Sequence, residues 1–266
     1  QYGRLGARKG YAYQTTSGGT GSNLRGIHKF VGTTGYIDNI SWGNNNIYSG
    51  TSTLTPLTTG ITITDDRWSA ATLDGSTFLA QSGHPILRVD SSLNVTTHLT
   101  DQHSFVASAY GRLWAAGATD THTLHASDLL TGIFHGGSSF SLDMQEVWTQ
   151  GGDEIVSVSG FNGRVVVFCK KSIVILGDNN NLDLGINPVS LHVLDVLENV
   201  GCVARSSIMD VGDDLFFLSY SGLRSLNRVI QEKSNPLTDL STNVRDELVQ
   251  VINSSTNDYI TSVYSP

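Results

Sequence analysis

From Leu24 onward the chain alternates short apolar runs with turn residues, at a spacing that suits strands. Residues 61–64 (Ile-Thr-Ile-Thr) alternate apolar with polar, and Phe78-Leu-Ala80 follows a turn at Asp74-Gly75. Leu113-Trp-Ala-Ala116 follows Tyr110-Gly111 in the same manner. The clearest hairpin runs through residues 155–161, then Asn162-Gly163, then residues 164–169. Asn-Gly suits the two positive-φ positions of a type I′ turn, whose twist matches that of paired strands. A third strand over 172–176 follows the tight Lys170-Lys171 connection and completes a meander. The period of two is expected to set Val165, Val167, Cys169, Ile173 and Ile175 on one face. Leu215-Phe-Phe-Leu218 and residues 223–226 flank Ser221-Gly222 as another hairpin. One helix is predicted near 240–250, from Leu240, Val244 and Leu248 at i, i+4 and i+8, with Asp239 or Ser241 as cap and Pro236 ahead of it.

The hairpin pattern recurs. Units of a turn followed by four apolar or small residues begin near Ser76, Arg112, Arg164 and Asp214, at spacings of 36, 52 and 50 residues. Blades of a β-propeller repeat every ~40–50 residues with four strands each. The expectation is an all-β, β-propeller-like fold of five to six blade equivalents, the single helix sitting between blades as a decoration. A β-sandwich is the alternative: its strands would be spaced alike, but the unit would not recur.

Composition agrees with that class. Ser and Thr together number 57, Asn 17, and charged residues are only 15% of the 266. This is too little Ala, Leu, Glu, Lys and Arg for a helical bundle, and too many β-branched residues for a disordered chain. Two cysteines cannot form a disulfide scaffold. No apolar run approaches the ~18 residues of a membrane span. The first residue is Gln and the last four are Val-Tyr-Ser-Pro, so the chain reads as a piece of a longer one.

The net charge of −8 divides unevenly. Arg4, Arg8, Lys9, Arg25 and Lys29 precede the first acid, Asp38, so the opening 29 residues carry +5 and the remainder −13. Residues 1–26 read as a basic arm and linker, with an arm or edge strand over 10–16 and a small-residue loop over 17–23. Residues 27–266 read as the propeller-like body, incomplete at its C-terminal end. The five basic residues are the candidate contacts to a neighbouring subunit or to nucleic acid.

Other chemistry is sparse. Eight histidines include the pairs His122/His125 and His98/His103, but no third ligand in a fixed frame and no HExxH accompany them, so surface histidines are expected and no metal. Asp178-Asn-Asn-Asn-Leu-Asp183 offers oxygen ligands for Ca²⁺ without the glycine and terminal Glu of an EF-hand loop. Asp65, Asp66, Asp143, Asp153 and Glu154 all sit beside turn residues, and nothing pairs them as a glycosidase requires. No cofactor motif and no catalytic residue is assigned.

The stretch 162–226 carries a resemblance. It runs Asn-Gly-Arg-Val-Val-Val-Phe-Cys-Lys-Lys-Ser-Ile-Val-Ile-Leu176, then Val200-Gly-Cys-Val-Ala-Arg-Ser-Ser-Ile-Met-Asp-Val-Gly-Asp-Asp-Leu-Phe-Phe-Leu-Ser-Tyr-Ser-Gly-Leu-Arg-Ser-Leu226. This resembles the β-propeller of tail proteins from short-tailed bacteriophages, the tail nozzle and packaged-DNA stabilisation hub group. There a strand pair is followed by a "vG" segment, a "lfFls..G.rsl" hairpin and a short helix. Arg4–Tyr11 and Arg25–Phe30 are similar to the family's approach to its first blade, and Val263–Pro266 to the start of another. The resemblance implies a non-enzymatic virion protein of the tail, a multimeric, hexameric ring around the DNA exit channel, contacting adaptor or other tail proteins and the passing DNA. An acidic body facing that channel would repel phosphate and keep sliding cheap, while the basic arm reaches a neighbour. The alternative function is a carbohydrate-binding or glycan-cleaving propeller. That alternative predicts a polar pocket with convergent carboxylates or aromatics at the propeller mouth. A ring component predicts broad flat flanks and no such pocket.

Overall fold

The computed structural model describes residues 24–57 except 44, 68–178 except 118 and 150, 190–232, 240–254 except 242, and 260–262. The strands form consecutive antiparallel meanders, each a blade. Blade one comprises β1 (Leu24–Gly32), β2 (Gly35–Gly43), β3 (Asn46–Ser49) and β4 (Thr55–Pro56), whose proline is tolerated because the strand is an edge. Blade two holds β5 (Ser69–Leu73), β6 (Ser76–Ala80), β7 (Pro85–Val89) and the first half of β8 (Val95–Ala109). The second half of β8 opens blade three, which continues with β9 (Arg112–Gly117), β10 (Thr123–Ala126) and β11 (Phe140–Asp143). Because β8 pairs with β7 up to Gln102 and with β9 from His103, blades two and three share one seven-stranded sheet. Blade four is β12 (Ile155–Phe161), β13 (Arg164–Cys169), β14 (Ser172–Asp178) and β15 (Leu191–Glu198). Blade five is β16 (Met209–Asp210), β17 (Leu215–Ser219) and β18 (Gly222–Ser225), followed by the helices α1 (Leu226–Glu232) and α2 (Arg245–Ser254).

The recurring unit of the sequence is the second strand of a blade. β6, β9, β13 and β17 begin at or beside Ser76, Arg112, Arg164 and Asp214. β6, β9 and β13 are each sandwiched between two neighbouring blades and β17 between blade four and the C-terminal helix, so both faces of each are largely buried and each strand carries a run of apolar residues. The turns ahead of β6, β9 and β13 are Asp74-Gly75, Tyr110-Gly111 and Asn162-Gly163, all with φ between 43° and 72°. Paired positive φ is what a type I′ hairpin requires.

The core lies between blades, not within them. Phe30, Ile40, Trp42 and Ile47 of blade one pack on Leu79, Leu87 and Val89 of blade two. Phe78 and Ile86 of blade two meet Val106 and Leu113 of blade three. Trp114 and Leu124 of blade three meet Val165, Val167 and Leu176 of blade four. Phe168, Ile173 and Ile175 of blade four meet Leu215 and Phe217 of blade five. Among the described residues no hydrophobic cluster joins blade one to blade five. The far face of blade five is covered by α2, whose Ile252 packs on Val203 and Leu218 together with Ile260. This stack of radial meanders is a β-propeller of five described blades; a sandwich would instead share one core between two sheets.

Four expectations are corrected. Val165 and Val167 do not share a face with Ile173 and Ile175. The register pairs Val167 with Val174, which puts Val165, Val167 and Cys169 toward blade three and Ile173 and Ile175 toward blade five. The C-terminal helix starts at Arg245, because Leu240 and Ser241 dock on β18: Leu240 N–H donates to Leu223 O at 2.9 Å, and Leu223 N–H to Ser241 Oγ at 3.1 Å. The helix covers the end of the stack rather than sitting between blades. Leu226 opens α1 instead of ending a strand; Ser225 caps it, its Oγ accepting from Arg228 N–H at 3.2 Å. Residues 10–16, read from the sequence as an arm or edge strand, and 61–64, read as a strand, lie outside the described residues.

Candidate functional site

Of the five basic candidates, Arg4, Arg8 and Lys9 lie outside the described residues. Arg25 and Lys29 lie in β1, which starts at Leu24, so Arg25 belongs to the first blade and not to an arm ending at residue 26. Alternation decides where they point. Gly26, His28 and Phe30 face blade two: Phe30 is fully buried, and His28 Nε2 hydrogen-bonds Thr72 Oγ1 of β5 at 2.8 Å. Burial lowers the His28 pKa below its ordinary value and keeps it neutral. Arg25, Ile27, Lys29 and Val31 face away from blade two and are exposed, Ile27 by 66%. Tyr36 on β2 lies opposite Val31 and is also exposed, and the Lys29 ammonium sits 6.0 Å from the Tyr36 ring centroid. The outer flank of blade one is thus a mixed apolar and basic surface.

The first strands of adjacent blades pack on one another, β1 on β5, β5 on the second half of β8, and that half on β12. These strands face the propeller axis, and they are nearly free of acid. β5, residues 102–109 of β8, and β12 carry none, and Asp210 of β16 is the one acid on a described first strand. The acidic residues sit instead at turns and on outer strands, such as Asp90, Asp120, Asp128, Asp195 and Glu198. Among the described residues the negative charge therefore lies away from these first strands.

A second site was not anticipated from the sequence. A cavity of about 430 Å³ opens between the loop ends of blades four and five. Its wall includes Trp148, Asp153, Lys170, Lys171, Glu198, Gly201, Tyr220 and Ser221. The charged groups are already engaged. The Asp153 carboxylate accepts from Lys171 N–H at 3.0 Å and from the Ser172 hydroxyl at 2.7 Å, clamping the start of β12 to the β13–β14 turn. Lys170 is ion-paired with Glu154 at 2.5 Å, Lys171 Nζ donates to Gly152 O at 3.3 Å, and Glu198 accepts from the Thr149 hydroxyl. Trp148 is buried, leaving Tyr220 as the exposed aromatic of the rim. The signal was unreadable in one dimension because four separate loops supply the wall. It is a surface that can bind, and its carboxylates Asp153 and Glu198 both hold hydrogen bonds to the surrounding loops.

The remaining candidates resolve into packing. His122 pairs with Asp120 at 3.0 Å, while His125 on β10 lies 5.2 Å from the His103 ring, edge to face. His98 Nε2 donates to Gly132 O at 3.0 Å, and the ring packs edge-on against Phe78. Among the described residues no three histidine, cysteine or acidic side chains are grouped to hold a metal ion. Asp178 ends β14, where its carboxylate accepts from the Ser190 hydroxyl; the remainder of the Ca²⁺ candidate, 179–183, lies outside the described residues. Cys169 and Cys202 are free and buried, joined only through backbone, Cys202 N–H to Cys169 O at 2.8 Å. Burial pushes their thiols up to about 12 and about 11 respectively. No helix among the described residues is long and apolar enough to cross a membrane.

No protein-family profile matches the chain, and no curated protein is similar to it in sequence. Solved structures are similar in fold. The extracellular domain of the two component system BT3049 from B. thetaiotaomicron superposes with a TM-score of 0.51 at 11% identity, covering 86% of this chain and 30% of that one. The WD40 domain of Neurospora crassa Pan2 gives 0.45 at 14% identity, over 82% of this chain and 63% of that one. BamB from Moraxella catarrhalis gives 0.47 at 11%, over 81% and 61%. The chain spans less than two thirds of each, and at these identities the likeness is one of fold alone.

Proposed function

We propose that this chain is a non-enzymatic structural protein of a phage tail, which associates with copies of itself into a ring around the DNA exit channel of the virion. The observation that carries the reading is where the resembling residues fall. The quoted strand pair is β13–β14, the "vG" segment is the crossing at Val200-Gly201 into blade five, the "lfFls..G.rsl" run is β17–β18, and a short helix, α1, follows. The order of the family's packing motifs is thus the order of one complete blade-to-blade contact. Two further features favour an assembly role. On the flank of blade one Ile27, Val31 and Tyr36 are exposed, as the apolar part of a subunit contact surface would be in an isolated chain. Acidic groups lie at turns and on outer strands, where copies arranged in a ring would turn them toward passing phosphates, which they repel. Negative-stain electron microscopy of the recombinant chain tests the reading. Annular particles with an open centre are expected, and a field of monomers at all concentrations overturns it.

The cavity between blades four and five favours a second reading, glycan binding, since it joins an exposed aromatic to several hydroxyls. It ranks second because Asp153 and Glu198 are spent on holding loops and Trp148 offers no exposed ring face. Binding on a glycan array that Tyr220→Ala removes would reverse that ranking.

A further inference from the structure

We infer that the outer flank of blade one and the outer stripe of α2 are the two halves of one head-to-tail contact between copies of this chain. The inference specifies the contact that the ring reading above requires, and rests on it. Val244, in the turn that leads directly into α2, and Val251 on α2 are 47% and 50% exposed and lie seven residues apart, two helical turns, along the same side. Glu247 lies between them at i+3, giving a stripe of apolar, acidic, apolar residues about 10 Å long at 1.5 Å per residue. On β1, Ile27, Lys29 and Val31 point to the same side, a stripe of apolar, basic, apolar residues about 13 Å long at 3.3 Å per residue. Tyr36 extends the apolar part of this flank, and Arg25 its positive charge. The central lysine of one stripe faces the central glutamate of the other when the apolar ends are matched. The remaining charges on α2 are Asp246 and Arg245, so its net charge is negative where that of β1 is positive.

Both stripes are exposed in the single chain, so they do not cover one another within it. They differ chemically, so two copies cannot use the same patch twice, as a two-fold dimer would. The contact is heterologous: each copy offers its first blade to the last helix of the next, and repetition closes a ring if the rotation permits. The opposite end of the stack is already finished, since the buried side of α2 is spent on Val203 and Leu218.

Complementary blocked chains provide the test. Ile27→Asp retains only the α2 half, and Val251→Asp only the β1 half. Both positions are exposed, so circular dichroism and melting should match the unchanged chain. Light scattering on a sizing column should show each variant alone as a monomer and their equimolar mixture as a 1:1 dimer that grows no further. Lys29→Glu and Glu247→Lys should each weaken assembly at least tenfold through like-charge juxtaposition, and the double variant should recover it. Either blocked variant assembling alone like the unchanged chain overturns this contact while leaving the ring reading standing. An unchanged chain that stays monomeric overturns both.

Discussion

Gly201→Ala probes how the blades are joined. Gly201 belongs to the crossing from blade four into blade five, and a Cβ placed there would lie 1.9 Å from Lys170 O, 2.2 Å from its carbonyl carbon and 2.5 Å from Lys171 N. Ordinary contact begins at 3.4 Å, so the methyl arrives about 1.5 Å too close to backbone that cannot swing aside. That backbone is pinned by Asp153, which accepts from Lys171 N–H at 3.0 Å. The next residue makes the stitch itself, Cys202 N–H to Cys169 O at 2.8 Å. Overpacking costs about 1–3 kcal/mol, and a stretched or lost buried hydrogen bond adds about 1 kcal/mol. The sum, about 2–4 kcal/mol, corresponds to a fall in Tm of about 5–15 °C for a chain of this size. Urea unfolding followed by tryptophan fluorescence measures it. Gly152→Ala, on the same side of the cavity with no atom within 4 Å of the added Cβ, is the control and should change stability by less than about 0.5 kcal/mol. If Gly201→Ala costs no more than the control, the close approach of the two blades at this point is wrong.

Three further outcomes follow from the same structure. Cys169 and Cys202, with thiols pushed up to about 12 and about 11 by burial, should resist alkylation at pH 8 in the native protein and react once guanidinium unfolds it; rapid native labelling would contradict their burial. His28 and His98 are both depressed below the ordinary 6.5 by burial. The unfolded chain therefore takes up their protons first, and stability that is full above pH 6.5 should be lost as pH falls through their folded values. Each contributes at most about 1.4 kcal/mol per pH unit, and His28→Gln should flatten the slope of a urea midpoint-versus-pH plot. Arg112 is buried and donates from one nitrogen to Ser127 O at 2.5 Å and Ser138 O at 2.7 Å. Arg112→Met should cost about 2–4 kcal/mol by stranding two carbonyls, yet leave the oligomeric mass unchanged; a change in that mass would place Arg112 at a subunit contact.

The blades were legible in the sequence because a propeller buries both faces of its second strands. The apolar runs at Ser76, Arg112, Arg164 and Asp214, each after a turn, are that geometry written in one dimension, and Asn162-Gly163 fixed one register to the residue. What stayed hidden depended on relations between strands. The parity of the β13–β14 pairing, not the alternation along either strand, decides which blade Ile173 faces. The start of α2 is set by Leu240 bonding to Leu223, a partner 17 residues away that outweighs the helical spacing of Leu240, Val244 and Leu248. The Ser225 cap of α1 was readable but was masked by the apolar run before it. The exposed flank of blade one was half visible, since Arg25 and Lys29 stood out by charge, while the exposure of Ile27 and Val31 required knowing that no described blade covers them. The cavity at Gly201 and Tyr220 draws on four loops and left no local trace.

Electron cryomicroscopy of the assembled, unaltered chain tests the central claim most directly. The account predicts a closed ring in which Ile27, Lys29 and Val31 of each copy lie against Val244, Glu247 and Val251 of the next, with acidic loops toward the opening. A monomeric particle, or a ring whose opening is lined by Arg25 and Lys29, would contradict it.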